Sequence, residues 1–428
     1  MAMEYWWFWL FLVLSYIARG LWLTYVQEYF KRKDIKPRLF EIKIPREVQK
    51  NPRAMEQIFM SIHTIRNAPT TPQDKWWQGE VTMWFSLEIA SHGGEPHFYI
   101  RIPSRHRNMI EAAFYAQYPD IELAESGEDY VSYLPPTYDR LKEEGYELFG
   151  NELILKKPDA YPIRTYSDFE SQLEEWQLDP ISTILETMAK VKPQENLWMQ
   201  IIIRPTIDDS WKKEGEKIVR ELKEKSGRRQ IQTPLGEFVM IDRSPGEIEV
   251  MKAVDKNLEK PGFYTLIRYL YIAPKDIFDK NFGQRGIISV LNQYSSESLN
   301  QFKHNIKAWT NANIWFWPHL FPKKRLRARQ RRIYANYIAR KMYDETFMGA
   351  ILNMKFFHWG IGAQKAVEGI GLFKLREFVL NTEELATIFH PPMKVVLTGP
   401  LIKRTEARKG GPPAGLPIYG EEGEKLPG

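Results

Sequence analysis

The chain has 428 residues, of which 43% are hydrophobic and 14% aromatic, and its formal net charge at pH 7 is +6. This length allows about two or three packed domains. The chain contains no cysteine, which excludes disulfides, thiolate zinc sites and cysteine nucleophiles and agrees with a cytoplasmic body.

The N-terminal segment, residues 1–30, is predicted to be a transmembrane anchor. The run from Tyr5 to Val26 is predominantly apolar and carries one charge, Arg19, and about 20 such residues span the hydrocarbon core as a helix. An arginine near the end of a span can extend its charge to the headgroups, and tryptophan favours both interfaces. The candidate membrane-contacting residues are Trp6, Trp7, Trp9, Arg19 and Trp22.

The charge that follows the apolar run determines the predicted orientation. The positions directly after it include Lys31, Arg32, Lys33, Lys36 and Arg38, so the positive-inside rule places the N-terminus outside and the body in the cytoplasm. We expect a single-pass protein of the cell membrane in contact with lipid. A signal peptide and an interfacial helix lying flat are the alternatives, although the basic residues and cleavage site of a signal peptide are missing.

Residues 38–126 are predicted to form a ferredoxin-like βαββαβ sandwich. Alternating and helical patterns indicate strands at Phe40–Pro45, Val81–Ala90, Phe98–Ile102 and Ile121–Ala124, with helices opening at Asn51 and spanning Arg107–Tyr118. The sequence HGGE at residues 92–95 indicates a hairpin turn between the second and third strands. His92 and His97 flank this turn, but their spacing matches no known metal site, so no metal is predicted.

Residues 147–296 are predicted to form a second α+β domain, so the fold class is α+β. Its predicted strands are Glu152–Lys156, Ile163–Thr165, Leu197–Arg204 and Phe263–Ile272, and its helices are Pro180–Val191, Ser210–Lys225, Gly246–Leu258 and Phe282–Tyr294. The sequence contains neither G-x-S-x-G nor H-E-x-x-H. We therefore predict no catalytic residue, no cofactor and no enzyme activity.

Residues 298–343 form a basic segment flanked by aromatic residues, with no Asp or Glu. Its candidate contact residues are Trp315, Trp317, Lys323, Lys324, Arg325, Arg327, Arg329, Arg331 and Arg332. Such a composition fits anionic lipid. It also fits nucleic acid, whose phosphates bind Arg and Lys and whose bases stack on rings. A basic helix packed through its aromatic face, or bound to a protein partner, is the third interpretation.

The C-terminal part is predicted to comprise a helical segment, residues 344–402, and a flexible Gly/Pro-rich tail, residues 403–428. In the helical segment Asn381 can cap a helix, and Glu384, three residues later, completes a capping box. Leu385 and Phe389 belong to the apolar side of this helix, which Pro391 and Pro392 end.

The segment LNTEELATIFH (residues 380–390), followed about 20 residues later by GGPPAGLPIYG, resembles the region just before the motor of conjugative type IV secretion ATPases. These are the TraG/TraD- and VirB-like DNA-transfer proteins of the HerA–FtsK class. The resemblance also covers residues 40–59, 98–123 and the basic FPKKRLRARQRR at 321–332. It implies the membrane-anchored, non-motor N-terminal domain of such a protein.

This resemblance implies a non-catalytic platform in a type IV secretion or conjugative system, on which a separate HerA–FtsK-type motor ATPase or other secretion components dock. The expected motor-docking residues are Asn381, Glu384 and Phe389, because this segment precedes the motor in the similar proteins. Motors of this class carry a P-loop, G-x-x-x-x-G-K-[ST], and the sequence lacks that motif. The alternative function is that of a membrane-tethered nucleic-acid-binding protein.

Overall fold

The computed structural model describes residues 6–45, 48, 50–66, 69–169, 179–207, 209–225, 227–233, 236–242, 244–306, 308–311, 321–342 and 377–393. The α-helices in these ranges are α1 (Trp6–Phe30), α2 (Pro52–Thr64), α3 (Arg107–Gln117), α4 (Tyr138–Glu143), α5 (Ser182–Ala189), α6 (Ser210–Lys225), α7 (Pro245–Glu259), α8 (Lys280–Leu291), α9 (Pro322–Ile338) and α10 (Thr382–Ile388). The predicted tail at 403–428 and most of the segment at 344–402 lie outside the described residues.

The strands of the described ranges are β1 (Pro37–Lys43), β2 (Phe85–His92), β3 (Glu95–Pro103), β4 (Glu122–Glu125), β5 (Tyr146–Leu155), β6 (Asn196–Pro205), β7 (Gly227–Thr233), β8 (Gly236–Asp242), β9 (Gly262–Pro274), β10 (Phe302–His304) and β11 (Phe378–Asn381). Nine of them form one antiparallel sheet, and β7 pairs with β8 separately. The α+β class predicted from the sequence is confirmed.

The large sheet runs through both predicted domains in the order β10-β5-β9-β6-β2-β3-β1-β4, and β11 pairs with the start of β9. The two halves meet where β2 pairs with β6, with Phe85 opposite Ile203 and His92 opposite Asn196. Counted from each outer edge, both halves place their strands in the order fourth, first, third, second. The second half thus repeats the strand order of the first, with α6, β7, β8 and α7 inserted between its second and third strands.

The two faces of the sheet are covered by different helices because strand side chains alternate between faces. Phe85, Leu87 and Ile89 of β2 belong to the main core, to which α2, α3, α5, α8 and α10 also contribute buried side chains. Trp198, on the opposite face, packs with buried residues of α4 and α9. Each large apolar side chain buried in this way contributes about 1.5–3 kcal/mol to stability.

Several predicted boundaries differ from the structure for local reasons. Ile163–Thr165 is not a strand, since the backbone N–H of Ile163 donates to Glu384 Oε1 (2.8 Å) and that of Thr165 to Asp168 Oδ2 (3.0 Å). The strand predicted from Val81 starts only at Phe85. The hairpin formed by β7 and β8 was not predicted from the sequence.

The capping box predicted before α10 is confirmed. Asn381 Oδ1 accepts a hydrogen bond from the Glu384 N–H (2.8 Å), and Glu384 Oε2 accepts one from the Asn381 N–H (2.9 Å). Asn381 also ends β11, which pairs with β9 and places Leu380 opposite Phe263. The segment at 378–388 is therefore a strand followed directly by a short helix.

Candidate functional site

Helix α1 is the candidate membrane anchor, and its two ends differ in burial. The aromatic side chains in its first four turns are exposed, among them Trp6 (63% exposed), Trp7 and Trp9 (60% exposed). Leu23, Val26 and Phe30, in the last two turns, are buried against the body. By length and composition α1 can cross a membrane.

The body contacts α1 through a short π-helical turn, Asp74–Gln78, at the end of the exposed part. Trp22 Nε1 donates a hydrogen bond to the Trp76 carbonyl (2.8 Å), and the Arg19 guanidinium lies 4.5 Å from the centroid of the Trp76 ring. The Trp22 and Trp77 rings meet edge to face with centroids 6.0 Å apart. A hydrogen bond or cation–π contact of this kind stabilises by about 1 kcal/mol.

Gly79 permits this close approach. Its φ is +68°, and a Cβ at this position would lie 2.5 Å from the carbonyl carbon of Val26. A residue with a side chain would be strained by its backbone conformation and would also collide with the backbone of α1. A glycine is thus required where the turn meets α1.

The basic helix α9 directs most of its described arginines to partners within the protein. Arg327 Nη2 and Arg331 Nη2 both donate to Asp139 Oδ1, at 2.8 and 2.7 Å. Arg329 Nη1 donates to the carbonyl of Asn311 (2.7 Å), and Arg332 is buried. These contacts favour the interpretation of a packed basic helix.

The remaining candidates of the basic segment lie near the start of α9. Lys323 and Lys324 are exposed, and Lys324 Nζ lies 5.2 Å from the centroid of the Phe321 ring. Arg325 is half-buried and also interacts with other groups of the protein. Trp315 and Trp317 lie outside the described residues. The structure therefore does not bring the nine predicted contact residues together as one described surface.

A row of buried polar side chains crosses the sheet beneath α9. The strand register places four of them directly opposite one another on β5, β9, β6 and β2, namely Glu152, Arg268, Gln200 and Glu88. Arg268 donates to the backbone carbonyls of Asn336 and Lys341, both at 2.7 Å. The row thereby binds the end of α9 to the centre of the sheet.

Arg340, just after α9, completes this row. Its Nε and Nη2 lie 2.6 and 2.8 Å from the two carboxylate oxygens of Glu88, and Nη2 also donates to Asp129 Oδ1 (2.8 Å). Burial disfavours ionisation of Glu88, but the nearby Arg340 guanidinium holds its pKa below the usual value. Because Tyr130 and Gln200 also donate to this carboxylate, its hydrogen-bonding capacity is used within the fold.

Glu383 of α10 forms a second charged cluster with α2 and α7. Lys260 Nζ lies 2.6 Å from Glu56 Oε1 and 2.6 Å from Glu383 Oε2, and Lys256 Nζ lies 3.0 Å from Glu383 Oε1. Burial opposes the charge on Glu383, but hydrogen bonds from Lys260 and its neighbours lower its pKa to about 2. A pocket of about 300 Å³ borders this cluster, and the lysines and glutamates that line it are paired with one another.

The three residues expected from the sequence to dock a motor, Asn381, Glu384 and Phe389, all have buried side chains. Asn381 Nδ2 donates to Asn257 Oδ1 (2.7 Å), and the Phe389 ring packs edge to face on Phe98. Their contacts hold α10 in the core, where the helix also packs against α2. In this structure they offer no surface to a partner, so the docking assignment of these residues needs correction.

A buried pair, His390 and Asp179, holds the end of α10. His390 Nε2 lies 2.8 Å from Asp179 Oδ1, and Asp179 Oδ2 accepts the N–H of Met393 (2.7 Å). Elsewhere, His92 Nδ1 contacts Asn196 and His97 Nδ1 contacts Glu41, each at 2.8 Å. Among the described residues no group of three or more His, Asp or Glu side chains is arranged to hold a metal ion.

Three residues at the centre of the buried row were not singled out from the sequence. Glu88 and Arg268 are single charges within the apolar strand sequences FSLEIA and TLIRYL, and such a charge signals a buried polar contact or a solvent-facing position. Arg340 carries no comparable signal, because it follows a helix that contains many other basic residues.

Comparison with known proteins identifies the family of this chain but gives no function for it. No curated protein matches the chain significantly. The model of a family described as a domain of unknown function, DUF8128, matches residues 21–335. This match starts within α1 and ends within α9, and so includes the part of α1 that contacts the body and the joint between the two halves of the sheet. Because it covers more than half of the sequence, the chain belongs to the DUF8128 family.

Proposed function

We propose that the protein is a non-catalytic platform in the cell membrane, with its N-terminus outside and its α+β body in the cytoplasm. A separate HerA–FtsK-type motor ATPase of a DNA-transfer or secretion machine docks on the cytoplasmic part of the chain, through residues that follow Met393. The observation that carries the membrane anchoring is the division of α1 into an exposed apolar part and a part buried against the body. The docking of a motor rests on the resemblance of residues 380–390 to the region that precedes the motor in conjugative type IV secretion ATPases.

The burial of α1 supports a retained anchor over the two alternatives. A signal peptide is removed from the mature protein, whereas Leu23, Val26 and Phe30 supply buried contacts to the body. A helix lying flat in the interface has one polar face, whereas residues 6–14, WWFWLFLVL, are apolar on every side of the helix. An exposed, uniformly apolar helix favours lipid on all sides.

We further interpret the body as two ferredoxin-like units joined edge to edge. Support comes from the strand order fourth, first, third, second in each half, with antiparallel neighbours. This order is that of the βαββαβ sandwich. The joined sheet gives the platform a continuous core across the two units.

The anchor is tested by carbonate extraction of membranes that contain the full chain or a chain that starts at Trp22. The shorter chain retains Leu23, Val26 and Phe30, which pack against the body. We expect the full chain to remain in the membrane pellet and the shorter chain to be soluble. Extraction of the full chain by carbonate contradicts the anchor.

Motor docking is tested by affinity capture from native membranes with a handle at the C-terminus. The comparison chain ends after Met393, because this end point retains α10 and its contacts with Asp179. We expect the full chain to capture a HerA–FtsK-type ATPase and the shorter chain to lose it. Capture of nucleic acid instead, with steep weakening by salt, overturns the platform and favours the nucleic-acid alternative.

A further inference from the structure

We infer that the turn Asp74–Gln78 is a second membrane contact, with Trp76 and Trp77 in the headgroup region of the bilayer beside α1. This inference rests on the proposed anchoring by α1 and adds a partner for one surface of the body. Lipid is the partner because the surface continues the exposed apolar face of the anchor.

The length of the exposed part of α1 places the turn at this level. A helix rises about 1.5 Å per residue, so the distance from Trp6 to Trp22 is about 24 Å, whereas the hydrocarbon core is about 30 Å thick. Because these two lengths are similar, a helix α1 that spans the core meets the headgroup boundary close to Trp22. The body meets the helix at the same level, since Trp22 Nε1 donates to the Trp76 carbonyl and the Arg19 guanidinium lies over the Trp76 ring.

The chemistry of this surface fits the interface rather than water or hydrocarbon. Trp77 is 70% exposed, and Trp22 and Tyr25 beside it also expose their rings. Tryptophan and tyrosine concentrate at the headgroup level because each has an apolar ring and a polar group. Lys75, in the same turn, is exposed and can bind lipid phosphates.

The turn cannot withdraw easily from this level because it is held against α1. Gly79, which ends the turn, lies against the backbone of Val26. Thr70 Oγ1 and the Thr71 N–H both donate to Asp74 Oδ2, at 3.1 and 2.9 Å. The depth of Trp77 is thus determined by the depth of the anchor.

Nitroxide labelling of single cysteines tests the inference, and the absence of native cysteine makes each label unique. The full chain is placed in nanodiscs of phosphatidylcholine and phosphatidylglycerol, with the label at Gln78→Cys, Val13→Cys or Lys190→Cys. Gln78 is exposed in the turn and leaves both tryptophans intact. Lys190 is an exposed control position, a few residues before β6. The start of β6 pairs with the end of β2 at His92, about 24 Å along the strand from Phe85, where β2 begins after the segment that contains the turn.

Collisions of each label with oxygen and with a water-soluble nickel chelate report its depth. We expect the label at position 78 to lose nickel collisions relative to position 190 and to gain oxygen collisions, with position 13 deeper still. The inference is overturned if position 78 matches position 190 while position 13 lies in hydrocarbon. If position 13 is itself accessible to nickel, the proposed anchor fails and this inference fails with it.

A second variant separates the tryptophans from the rest of the turn. Trp76→Ala and Trp77→Ala are combined in the chain labelled at Gln78→Cys. We expect increased nickel collisions at position 78, because the rings that partition into the interface are absent. Unchanged collisions show that the turn lies at this level without help from the rings and overturn their assigned role.

Discussion

Arg340 binds Glu88 through two guanidinium nitrogens, at 2.6 and 2.8 Å, although 252 positions separate the two residues in the chain. Both side chains are at most 2% exposed. Glu88 lies on β2, where the two halves of the sheet meet, and Arg340 follows the basic helix α9. This ion pair therefore joins the basic segment to the centre of the fold.

Replacement of Arg340 by alanine is expected to destabilise the protein by about 3–5 kcal/mol, because it leaves Glu88 charged, buried and without its cation. The measurement is chemical unfolding of the full chain in mild detergent. As a control, the double variant Glu88→Gln/Arg340→Met should be more stable than Arg340→Ala, since it buries no isolated charge. A loss below about 1 kcal/mol for Arg340→Ala contradicts the structural role assigned to the pair.

Neutralisation of the neighbouring residues Glu383 and Glu384 is expected to cost unequal amounts of stability. Glu383 is ionised and paired with Lys260, whereas burial raises the pKa of Glu384 to about 8. Glu383→Gln should cost about 3 kcal/mol at pH 7, because a pair within the body loses one partner. Glu384→Gln should cost less than about 1 kcal/mol, since glutamine also serves in a capping box. Equal losses in unfolding experiments at pH 7 refute this assignment.

The pH dependence of stability should separate the same two carboxyl groups. The pKa of Glu383 falls from 4.5 to about 2 on folding, so its contribution is present above pH 4.5 and is lost as the pH falls towards 2. The pKa of Glu384 rises from 4.5 to about 8, so its contribution is present below pH 4.5 and is lost as the pH rises towards 8. In unfolding series, Glu384→Gln should gain stability relative to the parent chain between pH 5 and 8. If the stabilities of Glu384→Gln and of the parent chain change in parallel between pH 5 and 8, the pKa of Glu384 is not raised on folding.

Gly79→Ala should loosen the contact between the turn and α1. The positive φ of Gly79 and the backbone of Val26, 2.5 Å from the added Cβ, together predict a loss of about 1–3 kcal/mol in local stability. Proteolysis between Arg66 and Trp84 should accelerate. The matched control is Gly127→Ala, where an added Cβ has no atom within 4 Å. The same cleavage rate in both variants shows that the glycine is not needed for this contact.

Much of the local structure could be predicted because each element carries its own periodic signal. The alternation in β1 and β3, the continuous apolar run of β9 and the apolar spacing of α2 and α3 identify these elements without reference to the rest of the chain. The capping box of Asn381 and Glu384 was equally readable, since its partners are three residues apart. Periodicity indicates that a residue is buried but not which residues bury it. The expectation that Asn381, Glu384 and Phe389 dock a motor comes instead from the resemblance of this segment to the region before the motor, which carries no information on burial.

The sequence by itself determined the long apolar helix at the N-terminus, the α+β class and the positions of most helices and strands, because these depend on neighbours within one or two turns. Only the tertiary structure decided how the basic segment is neutralised. Its arginines bind Asp139, 192 positions from Arg331, and Glu88, 252 positions from Arg340. The joint between β2 and β6 was decided at the same level, because strand pairing and buried charge pairs form between residues that are distant in the chain and leave no local pattern.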